Sequence, residues 1–213
     1  PAPGQPVARG DGLMSDGALR HTATGEEKVG VFVWNSPEGE DNVSASYLNV
    51  PRSVVELADA MRGDGYDIPP LAEAEVIEAM KIMIRPYYRT RDTAALEAML
   101  AAGKAEAVPV REYEAFLATL PEATRMAMKE AWEGPDSTYL TLPVDGELHF
   151  VIPMWRIGNL VLLPQPLRGS RRADEKDIYH DKQRPLHHAY RAAYWHLVHN
   201  VRLDAIVHLG THG

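Results

Sequence analysis

Two histidines close the sequence in the stretch "DAIVHLGTHG", where an apolar run leads into a Gly-Thr-His-Gly turn. His208 and His212 lie four residues apart, but no glutamate lies between them and the turn is not helical, so this is not the HExxH zinc motif. Imidazole binds Zn, Co, Ni and Cu, and it transfers protons near neutral pH. We interpret both as candidate metal-binding or proton-transferring residues, with a core histidine at a strand end as the alternative for His208.

Seven of the nine histidines lie from His180 onward. The segment "PLHHAYRAAYWHLVHNV" predicts a helix that starts near Pro185, with small apolar residues on the side that would pack on a sheet: Ala189, Ala193 and Leu197. His187 and His188 fall at the helix start, where either a structural or a functional role is open. For His196 and His199 we expect partly exposed side chains that bind water or a backbone carbonyl.

The elements around these residues indicate an α/β fold. "KVGVFVW" is typical of a buried parallel strand, "VPRSVVELADAMRG" predicts a helix with Pro51 in its first turn, and "YDI" predicts the next strand, which together make a βαβ unit. The last helix leads into "LDAIVHLG", predicted as a buried strand. Open α/β sheets bind ligands beyond the carboxyl ends of their strands, which is where His208 and His212 would lie.

The remaining segments set the expected domain organisation. Residues 1–27 are rich in Pro, Gly and small polar residues and indicate a flexible linker. Residues 28–213 form the α/β region, with a helical insertion at about 71–133 and strands in "GELHFVI" and "NLVLL". We expect parallel-sheet βαβ units with a helical insertion, as part of a larger multidomain subunit.

Composition excludes several classes of function. The chain of 213 residues has no cysteine, so any metal ligand must be imidazole or carboxylate, and its net charge of -8 disfavours nucleic-acid binding. No apolar run is long enough to span a membrane, and a cytoplasmic location is expected. The phosphate-binding glycine motifs and the GxSxG serine elbow are missing. Arg168, Arg171 and Arg172 in "RGSRR" could meet a carboxylate or phosphate, although a solvated loop is the simpler interpretation.

Several motifs in series resemble the large subunits of the cobaltochelatase and magnesium chelatase family. The terminal block "IYHDKQRPLHHAYRAAYWHL…LDAIVHLGTHG" is similar to the tyrosine-histidine segment, histidine-rich helix and H-x-G-x-H-G turn of that family. "KVGVFVWNSPEGEDNVSASYLNVPRSVVELADAMRGDGYDI", "VREYEAFLATLPEATRMAMKEAW" and "GNLVLLPQPLRG" resemble further family segments. The resemblance covers roughly residues 28–213.

The resemblance implies a large subunit that binds a tetrapyrrole and a metal ion, while smaller companion subunits hydrolyse ATP, with Mg²⁺, through an AAA+ motor. It favours insertion of cobalt(II) into hydrogenobyrinic acid a,c-diamide in aerobic cobalamin biosynthesis. Magnesium insertion into protoporphyrin IX is the alternative, and a tetrapyrrole- or metal-binding module without turnover is a second one. A generic α/β domain with surface histidines is the remaining alternative.

The resemblance also assigns site residues. It implies His208 and His212 as catalytic and metal-binding, with the tetrapyrrole contacted by His180, His187, His188 and Arg184. In the family the motif continues beyond the second glycine to a glutamate, a plausible proton acceptor. We therefore expect this chain to be a fragment, truncated at its carboxyl end and inactive alone.

Overall fold

The computed structural model describes residues 23–36, 38–89, 91–170 and 184–210. Four strands form one sheet: β1 (Val29–Val33), β5 (Trp155–Ile157), β6 (Leu160–Pro164) and β7 (Ala205–Leu209), in the order β5-β6-β1-β7. β1 pairs in parallel with β6 on one side and β7 on the other, and β5 is an antiparallel edge strand. The α/β class with a parallel sheet is thus confirmed.

A second sheet is antiparallel. Its strands are β2 (Ala105–Pro109), β3 (Thr141–Val144) and β4 (Glu147–Pro153), in the order β2-β4-β3. The sequence predicts β4 and β6 correctly from their apolar runs. β2 lies inside the stretch interpreted as a helical insertion, where its short "AEAVP" sequence gives no alternating pattern.

Six α-helices are described, and the helical segments predicted from the sequence all form. They are α1 (Val50–Gly63), α2 (Glu73–Ile84), α3 (Thr93–Ala101), α4 (Val110–Thr119), α5 (Glu122–Ala131) and α6 (His188–His196). Short 3₁₀ turns cover Arg85–Tyr87 and Pro135–Ser137, and a π-helical turn, Leu197–Val201, continues α6. None of the helices in the described ranges has the length and apolarity needed to cross a membrane.

The start of α1 shows why the sequence predicts it correctly. The Asn49 side chain accepts a hydrogen bond from the Arg52 amide (3.1 Å), which satisfies one of the free amides of the first turn. Pro51 lies in that turn, where its missing N–H costs nothing. Val54 and Ala58 are fully buried, so the helix packs with its apolar face inward.

β1 separates two hydrophobic clusters. Successive strand residues point to opposite faces, and accordingly Val31 belongs to the cluster that includes residues of α1 and α2. Phe32 belongs to the other, which includes Tyr113 of α4 and Ala193 of α6. Because β1 is covered on both faces, its continuous apolar run "VGVFV" is completely buried.

Two strand predictions differ from the structure. "YDI" is not a strand, because β6 and β7 occupy both sides of β1. Asp67 is held instead by Asn159, whose backbone N–H donates to the Asp67 carbonyl oxygen (2.8 Å). The strand predicted as buried, β7, is exposed on both faces, since Ile206 and Val207 point to opposite faces and are 38% and 37% exposed. The reason is its position, since within the described residues only β1 pairs with it.

Candidate functional site

His208 lies near the carboxyl end of β7, one residue before the last pair of the ladder. It is directly opposite Phe32 of β1, and the two rings stack with centroids 5.0 Å apart and planes inclined by 12°. Phe32 is buried, whereas His208 is exposed. His208 is therefore not a core histidine. Its ring rests on a fixed aromatic surface at the sheet edge where parallel α/β folds bind ligands.

The stack continues from Phe32 to helix α6. The Tyr194 ring lies 5.1 Å from Phe32 at 13°, and the Tyr190 ring lies 4.8 Å from Tyr194 at 20°. We call the rings of His208, Phe32, Tyr194 and Tyr190 the ring stack. Offset aromatic pairs at such distances stabilise beyond their buried area. The stack therefore links three elements of the fold, β7, β1 and α6, and fixes the plane of the His208 ring.

His187 and Arg184 meet at Trp132, which follows α5. The Arg184 guanidinium lies 4.0 Å from the Trp132 ring centroid, and the His187 ring meets the same indole edge-on at 5.0 Å. The indole N–H donates to the Pro185 carbonyl oxygen (2.8 Å). His187 is buried, and its Nδ1 accepts from the Ala189 amide (3.3 Å), which caps α6. These contacts position the entry into α6, and the role of both residues toward a tetrapyrrole stays a prediction.

His188, the first residue of α6, is also buried. Its Nδ1 lies 3.1 Å from the Tyr113 hydroxyl of α4, and the two rings meet edge-on. Burial lowers the pKa of His188, because a charged imidazole loses its hydration there. The geometry accounts for His188 as a link between α4 and α6 and leaves its predicted contact with a tetrapyrrole untested.

His196 makes an interaction that the sequence does not reveal. We expected a partly exposed side chain, but His196 is 5% exposed, and its Nε2 lies 2.8 Å from the Glu106 carboxylate of β2. Arg156 of β5 also binds Glu106, and Asn200 lies 3.1 Å from His196 Nδ1. Both ring nitrogens are occupied, so His196 is a structural residue. No sequence signal connects Glu106 to a histidine 90 positions away.

The other predicted site residues lie outside this geometry. His180 and His212 fall outside the described residues, and their predicted roles stay predictions. His199 is exposed, as expected. Over the part of the chain that is described, no three histidine or carboxylate side chains are grouped so that they could hold a metal ion. The described part of the site thus supplies one exposed imidazole on an aromatic base.

Comparison with known proteins identifies the family of the chain. Residues 13–213 match the family described as CobN/Magnesium Chelatase. The aerobic cobaltochelatase subunit CobN of a Sinorhizobium species is 26% identical over 199 residues, and the chloroplastic magnesium-chelatase subunit ChlH of Oryza sativa is 27% identical over 199. Each alignment covers 92% of this chain, but only 14% of the first relative and 13% of the second.

A solved structure shares the fold. The catalytic subunit of cobaltochelatase from Mycobacterium tuberculosis superposes with a TM-score of 0.65 at 29% identity, covering 93% of this chain and 16% of that protein. This chain therefore spans only a small part of the length of the relatives it matches. The match over nearly the whole chain establishes that it belongs to the CobN/Magnesium Chelatase family.

Proposed function

We propose that this chain is part of the tetrapyrrole- and metal-binding large subunit of an ATP-dependent cobaltochelatase, which inserts cobalt(II) into hydrogenobyrinic acid a,c-diamide. The observation that carries the proposal is His208, exposed at the carboxyl edge of the parallel sheet and stacked on Phe32 in a chain of this family. In this proposal cobalt is a substrate, and the pathway is aerobic cobalamin biosynthesis.

Metal insertion requires three tasks that suit these residues. The ion must lose water, be held over the ring and replace two pyrrole protons. A neutral imidazole can bind a late first-row ion, and it can accept a proton near neutral pH. We assign these tasks to His208, which stacks on Phe32, and to His212, four residues later in the sequence. His180, His187, His188 and Arg184 are assigned to the tetrapyrrole.

The two branches of the family differ in the metal ion that they insert. Imidazole ligands suit cobalt, whereas magnesium prefers oxygen ligands and keeps its water. The abundance of histidine in the last stretch of the chain therefore favours cobalt. In the same proposal companion subunits with an AAA+ motor hydrolyse ATP with Mg²⁺, and the reaction takes place in the cytoplasm.

Magnesium insertion into protoporphyrin IX is the second candidate. Relatives named as cobaltochelatase and as magnesium chelatase match this chain at almost the same identity, 26% and 27%. Overall similarity thus does not separate the branches. A third candidate, a binding module without turnover, predicts ring binding but no metal insertion.

Ring preference separates the two branches experimentally. The full-length gene product would be titrated with hydrogenobyrinic acid a,c-diamide and, separately, with protoporphyrin IX, following the quenching of tryptophan fluorescence. The cobalt proposal predicts saturable binding of the corrinoid precursor with much weaker porphyrin binding. A preference for protoporphyrin IX would transfer the protein to the magnesium branch, and binding of neither ring would exclude a chelatase role.

The role of His208 can be tested in the same protein. We expect His208→Ala to abolish cobalt-dependent change in the absorption of the bound ring while leaving the fold intact, because the side chain is exposed. His199→Ala is the matched control, since His199 is also exposed but lies beyond α6 in the π-helical turn. Equal behaviour of the two variants would remove His208 from the site.

A further inference from the structure

A polar cluster lies at the far end of the ring stack from His208. It consists of Gln165, Tyr190 and Tyr194, which we call the tyrosine–glutamine cluster. The Gln165 amide nitrogen lies 3.4 Å from the Tyr190 hydroxyl and 3.2 Å from the Tyr194 hydroxyl. All three residues are half-buried. The stack therefore ends in a set of hydrogen-bonding groups that solvent can still reach.

The sheet holds this cluster at the same edge as His208. The Gln165 backbone amide donates to the Val33 carbonyl oxygen (2.8 Å), so Gln165 continues β6 beside the end of β1. Tyr190 and Tyr194 lie one helical turn apart on α6. Tyr194 belongs to both the ring stack and the cluster, so the buried Phe32 ring connects the cluster to His208.

Arg168 adds a positive charge nearby. Its carbonyl oxygen accepts a hydrogen bond from the His187 amide (2.9 Å), which fixes the loop after β6 against the start of α6. Its side chain is exposed. Burial raises the pKa of Tyr190, and the positive charge of Arg168 opposes that rise.

These four groups have a common chemistry. Two phenols, a primary amide and a guanidinium all donate hydrogen bonds, and each is neutral or positive at neutral pH. The bonds within the cluster, at 3.2–3.5 Å, are longer than the usual 2.7–3.2 Å and are therefore weak. A carboxylate accepts shorter, charge-assisted bonds from the same donors and would replace the weak ones.

We infer that the tyrosine–glutamine cluster, with Arg168, binds a peripheral carboxylate of the tetrapyrrole whose metal-binding centre lies at His208. This inference rests on the proposed function and deepens it, because it assigns specificity to residues that the proposed function leaves unused. The cluster recognises the rim of the ring, and His208 acts at its metal-binding centre.

The test compares a ring that has free carboxylates with the same ring after methyl esterification, using the full-length protein. The probes are hydrogenobyrinic acid a,c-diamide and its methyl ester, titrated by fluorescence quenching. We expect Tyr190→Phe combined with Tyr194→Phe, and separately Arg168→Ala, to weaken binding of the free acid by about ten- to hundred-fold. Binding of the ester should change by less than about three-fold in both variants.

Two features of the design keep the result unambiguous. The phenylalanine substitutions retain the stacked rings, and Arg168 is exposed. Arg111→Ala is the matched control, because Arg111 is an exposed arginine that pairs with Glu147 on the other sheet and should leave both affinities unchanged. If the wild-type protein binds the free acid and all variants bind it equally well, the inference is wrong while the proposed function stands. If the wild-type protein binds neither probe, both are overturned.

Discussion

The Glu106 carboxylate joins three elements and offers the sharpest test of the packing. Glu106, on β2, contacts His196 of α6 at 2.8 Å and accepts two hydrogen bonds from the Arg156 guanidinium of β5, one at 2.9 Å. β2 belongs to the antiparallel sheet and β5 to the parallel sheet. Substitution by glutamine keeps the size of the side chain and removes its charge, so Glu106→Gln isolates the electrostatic contribution of this junction.

The pKa of Glu106 gives the size of the stability change expected for Glu106→Gln. Burial by itself raises this pKa, but the hydrogen bonds from His196 and Arg156 outweigh burial and lower it from 4.5 to about 2. A shift of that size corresponds to about 3 kcal/mol of stability at neutral pH. The Glu106 side chain is 28% exposed, so water screens part of the interaction. We therefore expect Glu106→Gln to lower the free energy of unfolding by about 2 kcal/mol at pH 7.

The sign of the pH dependence follows from the same shift. The folded-state pKa lies below the unfolded-state pKa, so the stabilisation is complete above about pH 4.5 and is lost as the pH falls toward 2. The difference between wild type and Glu106→Gln should accordingly shrink by about half or more near pH 3.

Urea denaturation followed by tryptophan fluorescence measures this difference. Trp155 and Trp195 adjoin Arg156 and His196 in sequence and report on the junction. Glu97→Gln, an exposed substitution on α3, is the control and should change stability by less than about 0.5 kcal/mol. A Glu106→Gln effect that is below this level at pH 7, or that stays constant from pH 7 to 3, would refute the reasoning.

Two further substitutions test the local geometry. Gly158 has φ +60°, and a Cβ there would collide with the Asp67 carbonyl oxygen, so Gly158→Ala should lower the free energy of unfolding, measured by thermal denaturation, by roughly 2 kcal/mol or more. Gly63 has open space around it, so Gly63→Ala should not lower the free energy of unfolding, and equal effects of the two substitutions would contradict this reasoning. Tyr113→Phe leaves the buried His188 Nδ1 without its partner and should cost about 1–3 kcal/mol in urea denaturation, and an unchanged midpoint would show that the bond contributes little. Burial lowers the pKa of His188 below its unfolded value of about 6.5, so the contribution of His188 to the free energy of unfolding should fall as the pH drops below 6.5. Tyr113→Phe should show the same decrease in stability with falling pH.

The sequence predicts the elements whose signals are local. The sequence predicts β1 from its apolar β-branched run, because both of its faces are buried, and α1 from Pro51 and its apolar spacing. The prediction of the apolar side of α6 is also correct, since Ala193 and Leu197 are buried.

The errors concern pairing between distant segments. "YDI" has strand character, but the places beside β1 belong to β6 and β7, which lie far along the chain. β2 gains its strand conformation from pairing with β4, and its own sequence gives no strand pattern. The exposure of β7 likewise depends on which strands flank it. These properties are set by tertiary structure, which overrides local propensity.

Within the candidate site, too, the sequence identifies the residue with a local signal but not the contacts between distant segments. His208 could be identified from its position at a strand end before a glycine turn, and the structure places it at the expected sheet edge. Phe32 could not be identified as its stacking partner, because it sits in an apolar run with nothing to distinguish it from its neighbours. Gln165 and Tyr194 come together only because β6 and α6 meet at one edge of the sheet.

Metal insertion by the reconstituted enzyme tests the central claim most directly. The full-length protein would be combined with the ATPase subunits that the proposed function requires, with ATP and Mg²⁺, and supplied with cobalt(II) and hydrogenobyrinic acid a,c-diamide, while ring absorption reports metal incorporation. We predict ATP-dependent cobalt insertion by the wild-type protein and a loss of at least about a hundred-fold in His208→Ala, in the range expected for removal of a group that acts in proton transfer. Insertion at the wild-type rate by His208→Ala, or no insertion by the wild-type protein, would contradict the central claim.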